Sequence, residues 1–479
     1  MGAQAASSNK HLFTWAIVLA FMFGFGFLPP IGAMTPTGMR ILGTFIGCII
    51  GWTTLGILET TFFGVIAFGL TIGFSQYVST SFGTPMIAMM LIFFPICGML
   101  NHYNVLQVLA QKFITTKFCE GHPWRIVFMV MFGAYVCAPI NALVVAVLFI
   151  EFVHSICVIA EIKTPSRFSS SLLIGVALAI MTGQLTIPIF GTPLVLVAAL
   201  GAITGISVNL VKYMALLIPL SIILLLVFVL CMRFVLKIDV EPLRKVTIES
   251  LGGSTKFNKN QRKSLTVMVL VLAALVIQSI LPKSTPLSDF IAGKIGIFGI
   301  CMIAMGVIIF LKAEDGKPLF NFHECARKGM AWDPFYLAAF IVPFATFMTG
   351  DQTGIAQTIA MAMKPLFALP PFMFLILMFL CVNIITNFAQ NTVVIITFMP
   401  LFLAYGKATG FDMEGFYILL FLLAQMALAT PGSSTPCGIV YSATGLVDVK
   451  MVLKMSLKIM PILFIILMLL GVPYTFLLF

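Results

Sequence analysis

Charged residues are scarce in this sequence, and their scarcity excludes an ordinary soluble protein. Only 9% of its 479 residues are charged, whereas 61% are hydrophobic and the mean hydropathy is +1.12. A soluble domain carries about 25% charged residues. A chain with so little charge would expose apolar surface to water, so most of its surface must face lipid.

Motifs that catalysis, ATP hydrolysis or metal binding would need are also missing. The five histidines are scattered and belong to no catalytic set, which argues against a membrane enzyme. No Gly-x-x-x-x-Gly-Lys-Ser/Thr loop occurs, so an ATP-driven pump is not expected from this chain alone. The ten cysteines follow neither a disulfide nor a metal-ligand spacing, and they are interpreted as small packing residues.

What the sequence does contain is a series of apolar runs between residues 12 and 479. A helix needs roughly 20 apolar residues to cross about 30 Å of hydrocarbon. No alternating barrel pattern is present, so the spans are predicted to be helices. Residues 12–28 are predicted to form the first span rather than a cleaved signal.

The distribution of basic residues predicts the orientation of the chain. The net charge of +11 does not indicate nucleic-acid binding, because the basic residues flank apolar runs as the positive-inside rule expects. Residues 237–263 form the longest polar stretch and are predicted to be a cytoplasmic linker. If the N-terminus and the linker are both cytoplasmic, the number of spans between them is even. If the C-terminus is on the other side of the membrane, the number of spans after the linker is odd. About six plus five, or about 11 transmembrane helices, fits the apolar length.

Three landmarks occur twice in the same order, which indicates an internal repeat. Pro95 and Pro343 each lie in an apolar run before a polar patch, 248 residues apart. Asn141 and Asn391 lie in apolar hairpins, 250 residues apart. Thr192-Pro193 and Thr435-Pro436 lie in broken helices, 243 residues apart. About five spans per repeat, an odd number, predicts inverted orientations. The predicted organisation is therefore an N-terminal segment with the first span (1–40), a first inverted repeat (41–236), the linker (237–263) and a second inverted repeat (264–479).

Proline and glycine at these landmarks interrupt helices at membrane depth. Broken backbone is tolerated there only where it is buried in protein or lines a cavity. The half-helices that remain direct the positive ends of their dipoles into the cavity. Asparagine and threonine at such ends supply hydrogen bonds to an anion and oxygen ligands for a hard cation such as sodium. The doubled pattern therefore predicts a re-entrant, two-hairpin binding site at the interface of the repeats.

Two segments of the second repeat, residues 386–392 with the following 398–400 and residues 434–441, resemble motifs of a known family. The family is the divalent anion:sodium symporters, the dicarboxylate and sulfate carriers of the ion transporter superfamily. Its members carry two Ser-Asn-Thr motifs at hairpin tips and a Thr-Pro motif in the broken helix after each. The first copy in this chain keeps Asn141 and Gly191-Thr192-Pro193 but has Ile140 and Ala142 beside the asparagine.

The resemblance implies a homodimer whose transport domain moves as an elevator against a scaffold, and it implies ligands by position. The anion is expected at Asn141, Thr192, Pro193, Asn391, Thr392, Thr435 and Pro436. A sodium ion is expected at Thr386, Ala389 (through its carbonyl), Asn391 and Ser434, and a first-repeat sodium ion at Val136, Ile140, Asn141 and Gly191. Because Ile140 and Ala142 offer no hydroxyl, the first sodium site is expected to be weak or absent. The donor missing at Ala142 also favours a smaller, less charged or singly carboxylated substrate over the family's typical one.

The sequence thus predicts an all-α polytopic membrane protein that acts as an elevator-type symporter. It would move a small organic or inorganic anion, such as a dicarboxylate, across the plasma (inner) membrane with sodium, and its N-terminus would be cytoplasmic. A proton-coupled or exchange-type carrier of the same superfamily and an ion channel remain alternatives. Asp351 is either a solvated hairpin end or a proton-coupling residue.

Overall fold

The computed structural model describes residues 2–119, 121–188, 191–246, 256–280, 286–443 and 445–479. Regular structure in these ranges is helical, apart from an isolated antiparallel bridge between Lys312 and Pro318. The predicted all-α class is therefore confirmed for this part of the chain. Residues 247–255 of the predicted linker lie outside the described residues.

The α-helices follow one another with short connections. The first group is α1 (Gly2–Leu19), α2 (Pro36–Thr54), α3 (Ile57–Ile72), α4 (Phe74–Ser81), α5 (Pro85–His102), α6 (Val105–Ile114), α7 (Pro123–Cys137), α8 (Ala142–Ile159), α9 (Arg167–Gly183), α10 (Gly191–Thr204) and α11 (Leu210–Leu230). The second group is α12 (Lys259–Ile280), α13 (Pro286–Asp289), α14 (Gly296–Ile309), α15 (Phe322–Gly329), α16 (Trp332–Thr349), α17 (Ile355–Phe367), α18 (Pro371–Ile385), α19 (Asn391–Thr409), α20 (Glu414–Ala424), α21 (Thr435–Ser442), α22 (Val449–Ile466) and α23 (Val472–Leu478).

Many of these helices are long and apolar enough to lie in a membrane, and several are broken. Within the described residues, five helices could cross a membrane by themselves, and up to nine spans result if each bent pair counts as one. The bent pairs are α3 with α4 (116°), α5 with α6 (63°), α15 with α16 (76°) and α17 with α18 (115°). The predicted multi-pass fold with broken helices is confirmed. A count based on helix length gives fewer spans than the predicted eleven, because apolar helices such as α7, α9 and α20 are too short to be included.

Two helices that end at predicted breaks lie in the interior of the protein. Every residue of α9 from Phe168 to Gly183 is buried, and so is α20 from Gly415 to Ala424. A helix that is apolar on all sides is stable only when it is surrounded by protein or lipid. Since both helices are enclosed by protein, the described segments that follow them, 184–188 and 425–434, start in the core.

Helices α5 and α15 cross at close range through two glycines. A Cβ atom added at Gly98 would overlap the carbonyl oxygen of Cys325, and one added at Gly329 would overlap that of Phe94. Small residues allow such backbone contact between membrane helices. This crossing fixes the C-terminal end of α15 against α5.

The close crossing of α5 and α15 is tested by adding one methyl group at Gly98. Gly98→Ala is expected to lower the midpoint of thermal unfolding of the detergent-purified protein by several degrees, because the added methyl group would push α15 away and cost about 1–3 kcal/mol. Gly306→Ala in α14 is the matched control, since nothing lies within 4 Å of a Cβ placed there. Equal midpoints for the two variants would contradict the proposed role of Gly98.

Candidate functional site

The first-repeat landmarks lie at the starts of two helices. Asn141 precedes α8 in an extended conformation, and its Oδ1 accepts a hydrogen bond from the backbone N–H of Val144 at 3.1 Å. This is an N-cap, which explains why an asparagine begins the helix. Gly191 begins α10 with a φ of +40°, a conformation that favours glycine. Thr192 and Pro193 follow in the first turn, where proline is tolerated.

The second-repeat landmarks also lie at the starts of two helices, α19 and α21. Ser434 is the N-cap of α21, and its Oγ accepts a hydrogen bond from the N–H of Cys437 at 3.3 Å. Asn391 is the first residue of α19 and is only 2% exposed. Its Nδ2 donates to Oε1 of Gln425 at 3.0 Å, whereas its Oδ1 is buried without a hydrogen-bond partner.

Hydrogen bonds join the hairpin tip before α19 to the broken segment before α21. Oδ1 of Asn387 accepts from the N–H of Ala429 at 3.0 Å, and Nδ2 of Asn387 donates to the carbonyl of Asn383 at 2.7 Å. The Thr430 hydroxyl donates to the Asn387 carbonyl. These bonds satisfy the Ala429 N–H and the Asn387 carbonyl, which no helix pairs. The Asn391–Gln425 bond between side chains adds to them in holding the two segments as one unit.

One cavity of about 410 Å³, here called the central cavity, brings residues of both halves together. Its walls come from residues 138–143, 191–193, 328–334, 390, 392 and 435–436, with further side chains from α3, α5, α10 and α16. It includes six of the seven residues predicted to bind the anion, namely Asn141, Thr192, Pro193, Thr392, Thr435 and Pro436. Asn391 is not among the lining residues, because its amide faces Gln425.

A second cavity of about 440 Å³, here called the adjoining cavity, also has the start of α21 in its lining. It is lined by Ser434 and Gly438, and it shares Ile57, Asp333, Gln390 and Thr435 with the central cavity. The first turn of α21 therefore contributes to the lining of both cavities.

The residues predicted to bind sodium in the second repeat offer several oxygens. Thr386 is fully buried and donates its hydroxyl to the Val382 carbonyl at 2.8 Å, which leaves its oxygen lone pairs available. The Ser434 hydroxyl lies 2.8 Å from Sδ of Met181 in the first half. The unpartnered Oδ1 of Asn391 is costly to bury and is a ligand that a hard cation accepts. Neutral oxygens of these kinds are ligands that a sodium ion accepts.

The first-repeat cation site is poorer in free oxygens. The Oδ1 of Asn141 already accepts the Val144 N–H, and the hydroxyl positions are Ile140 and Ala142. Among the described residues, no group of three or more His, Cys, Asp and Glu residues could hold a metal ion. The available ligands at both places are consequently neutral oxygens.

Sequence reasoning missed several residues of the central cavity. Gln184 and Gln390 lie in the broken segments, where a polar residue between apolar helices is a usable sign. Lys328, Trp332 and Asp333 come from the bend between α15 and α16, which no motif marks. The side chain of Asp351 lies outside the described part, although its backbone forms a 3₁₀ turn after α16.

Comparisons with known proteins agree with this architecture. The family described as sodium:sulfate symporter, transmembrane region, matches residues 9–479. A search of curated proteins found no match. The crystal structure of the Alcanivorax borkumensis YdaH transporter is similar in fold, with a TM-score of 0.58 and 16% sequence identity over 84% of this chain and 88% of that one. The chain therefore belongs to the sodium:sulfate symporter family, and it is a multi-pass secondary transporter of small anions rather than an enzyme.

Proposed function

We propose that this protein is an elevator-type symporter that carries a small anion, such as a dicarboxylate, across the plasma (inner) membrane together with sodium. The observation that carries the proposal is the central cavity, where Asn141 and Thr192 of the first half meet Thr392 and Thr435 of the second. The homodimer, the elevator motion and a cytoplasmic N-terminus complete the proposal by resemblance to the divalent anion:sodium symporters.

The spacing of the helices supports two inverted repeats as the basis of this function. Helices α5 and α16 begin 247 residues apart, α7 and α18 begin 248 apart, and α8 and α19 begin 249 apart. Inverted repeats place a transporter's binding site at their interface near the middle of the membrane. The central cavity has residues of both proposed repeats in its wall, as this arrangement requires.

The lining of the central cavity suits a small anion. Helices α8, α10 and α21 each begin at or beside it, and helix N-termini favour negative charge. The hydroxyl groups of Thr192, Thr392 and Thr435 add hydrogen-bond donors. A volume of about 410 Å³ lies in the range typical of small-molecule sites.

A proton-coupled or exchange-type carrier is the second candidate, and one observation favours it. Asp333 lines both the central and the adjoining cavity, so an acidic residue stands where the two cavities adjoin. Ionisable residues inside transporters are common proton carriers. The driving ion must therefore be measured rather than taken from the family name.

A thermal-shift measurement tests the proposed substrate and coupling ion together. Succinate and sulfate are each added to the detergent-purified protein in sodium chloride, and in choline chloride of the same ionic strength. We expect an anion to raise the unfolding midpoint in sodium and much less in choline, because a ligand of the folded state stabilises it by about 2.7 kcal/mol at 100 times its dissociation constant. No shift with either anion would contradict the proposed substrate class, and equal shifts in the two salts would contradict sodium coupling.

A further inference from the structure

The charged side chains that line the central cavity, within the described part of the chain, are those of Lys328 and Asp333. Lys328 is the penultimate residue of α15 and Asp333 is the second residue of α16, so they flank the 76° bend between these helices. None of the carboxylate ion pairs among the described residues includes Lys328. The wall of the cavity therefore includes a lysine that no carboxylate pairs with directly.

The surroundings of the Lys328 ammonium leave it free to bind an anion. Its Nζ lies 3.3 Å from Nδ1 of His102, and the same Nδ1 lies 3.4 Å from Oε2 of Glu324. The imidazole nitrogen can accept from the lysine or, when it carries a proton, donate to the glutamate. An ammonium group has three N–H donors, so at least two remain for a ligand in either case.

The backbone at Lys328 is held firmly even though the side chain is exposed. The Nδ2 of Asn101 donates to the Lys328 carbonyl at 3.2 Å. The next residue, Gly329, packs directly on the backbone of α5 at Phe94 and Gly98. Phe94 itself lines the central cavity. The backbone of Lys328 is thus held in place at the cavity wall, as the backbone of a binding residue must be.

We propose that Lys328 recruits the transported anion to the central cavity and makes the transporter prefer doubly over singly charged anions; this rests on the proposed function of the cavity as the anion site. A cation in a concave, low-dielectric wall concentrates anions there, by about tenfold or more. Its Coulomb energy scales with the charge of the anion, and salt screens it. The neutral donors Asn141, Thr192 and Thr435 provide the specific contacts. In this proposal the charge of Lys328 offsets the donor missing at Ala142, which by itself favours a less charged anion.

Fluorescence quenching of Trp332 tests the recruitment without any assumption about the substrate. Trp332 lines the central cavity and is 52% exposed. In a protein with Trp332 as its only tryptophan, Lys328→Gln is expected to lower the quenching constant of iodide about threefold and to leave that of neutral acrylamide unchanged. Arg327→Gln, the matched control on the adjacent exposed residue, should change neither constant. An iodide-to-acrylamide ratio that Lys328→Gln does not lower would overturn the proposal.

Uptake into proteoliposomes tests the charge preference in a chain that keeps all its tryptophans. If the single-tryptophan protein fails to fold, this uptake measurement is the test of the proposal. Lys328→Gln should raise the KM for succinate about tenfold and that for the monoanion succinamate about threefold, because halving the charge halves the energy. Lys328→Arg should restore both values, and the succinate KM of the glutamine variant should respond less to ionic strength than that of the unaltered protein. Equal changes for the two anions would overturn the proposal. Absence of uptake by the unaltered protein would instead contradict the proposed function, while the quenching result would still decide the role of Lys328.

Discussion

Asn391→Ala is expected to reduce anion uptake at least about tenfold, and as much as about a hundredfold, while folded protein remains in the membrane. The substitution removes the unpartnered Oδ1 that is proposed to bind sodium, and it leaves Oε1 of Gln425 without its donor. Gln425 is only 1% exposed, so leaving its Oε1 unpaired also costs about 1–3 kcal/mol of stability. Uptake of labelled succinate and the amount of monodisperse protein after gel filtration measure the two effects separately.

Two further substitutions show whether this loss is specific. Thr435→Ala should also abolish uptake, because Thr435 lines both cavities at the first turn of α21. Cys437→Ala, two residues later, should be tolerated, since Cys437 is fully buried and lines neither cavity in the described residues. Normal uptake by Asn391→Ala would show that the binding residues inferred from the family motif are misassigned.

Sodium dependence is expected to be shallow, with a Hill coefficient near one, roughly one coupled site. The second repeat offers Thr386, Asn391 and Ser434, whereas Asn141 in the first repeat already uses its oxygen as a helix cap. A dehydrated sodium ion must recover several oxygen ligands, and Ile140 and Ala142 contribute no hydroxyl for it. We therefore expect uptake to saturate with sodium as a simple hyperbola.

Ser434→Ala should raise the sodium concentration for half-maximal uptake about tenfold or more. The loss of the cap on the Cys437 N–H costs about 1 kcal/mol of stability as well, so Ser434→Thr, which keeps the hydroxyl, is the matched control. The threonine variant should retain most of the sodium affinity. A Hill coefficient well above two in the unaltered protein would contradict a single coupled site.

The sequence alone was sufficient for the helical class and the broken helices. Hydropathy and the positions of proline and glycine are local properties, so they predict where a helix runs and where it stops. The paired landmarks then placed Thr192 and Thr435, far apart in the chain, in one site, and both line the central cavity. The cation roles of Thr386, Ala389 and Ser434 stay predictions.

Residues whose importance depends on packing between distant helices could not be predicted. Lys328 and Asp333 reach the central cavity only because α15 crosses α5 at Gly98 and then bends into α16. No local pattern records such a crossing. The orientation of Asn391 could not be predicted either, because its amide donates a hydrogen bond to Gln425, which is 34 residues away in the sequence.

The most direct test of sodium-coupled anion symport is uptake into proteoliposomes under a single imposed ion gradient. Purified protein is reconstituted in sodium-free buffer, and labelled succinate is added outside with an inward sodium gradient, an inward proton gradient or neither. Succinate is predicted to accumulate above its outside concentration only with the sodium gradient, and to be released when that gradient is dissipated. Accumulation in sodium-free buffer driven by the proton gradient would contradict sodium coupling and would make Asp333 and Asp351 the carboxylates to replace.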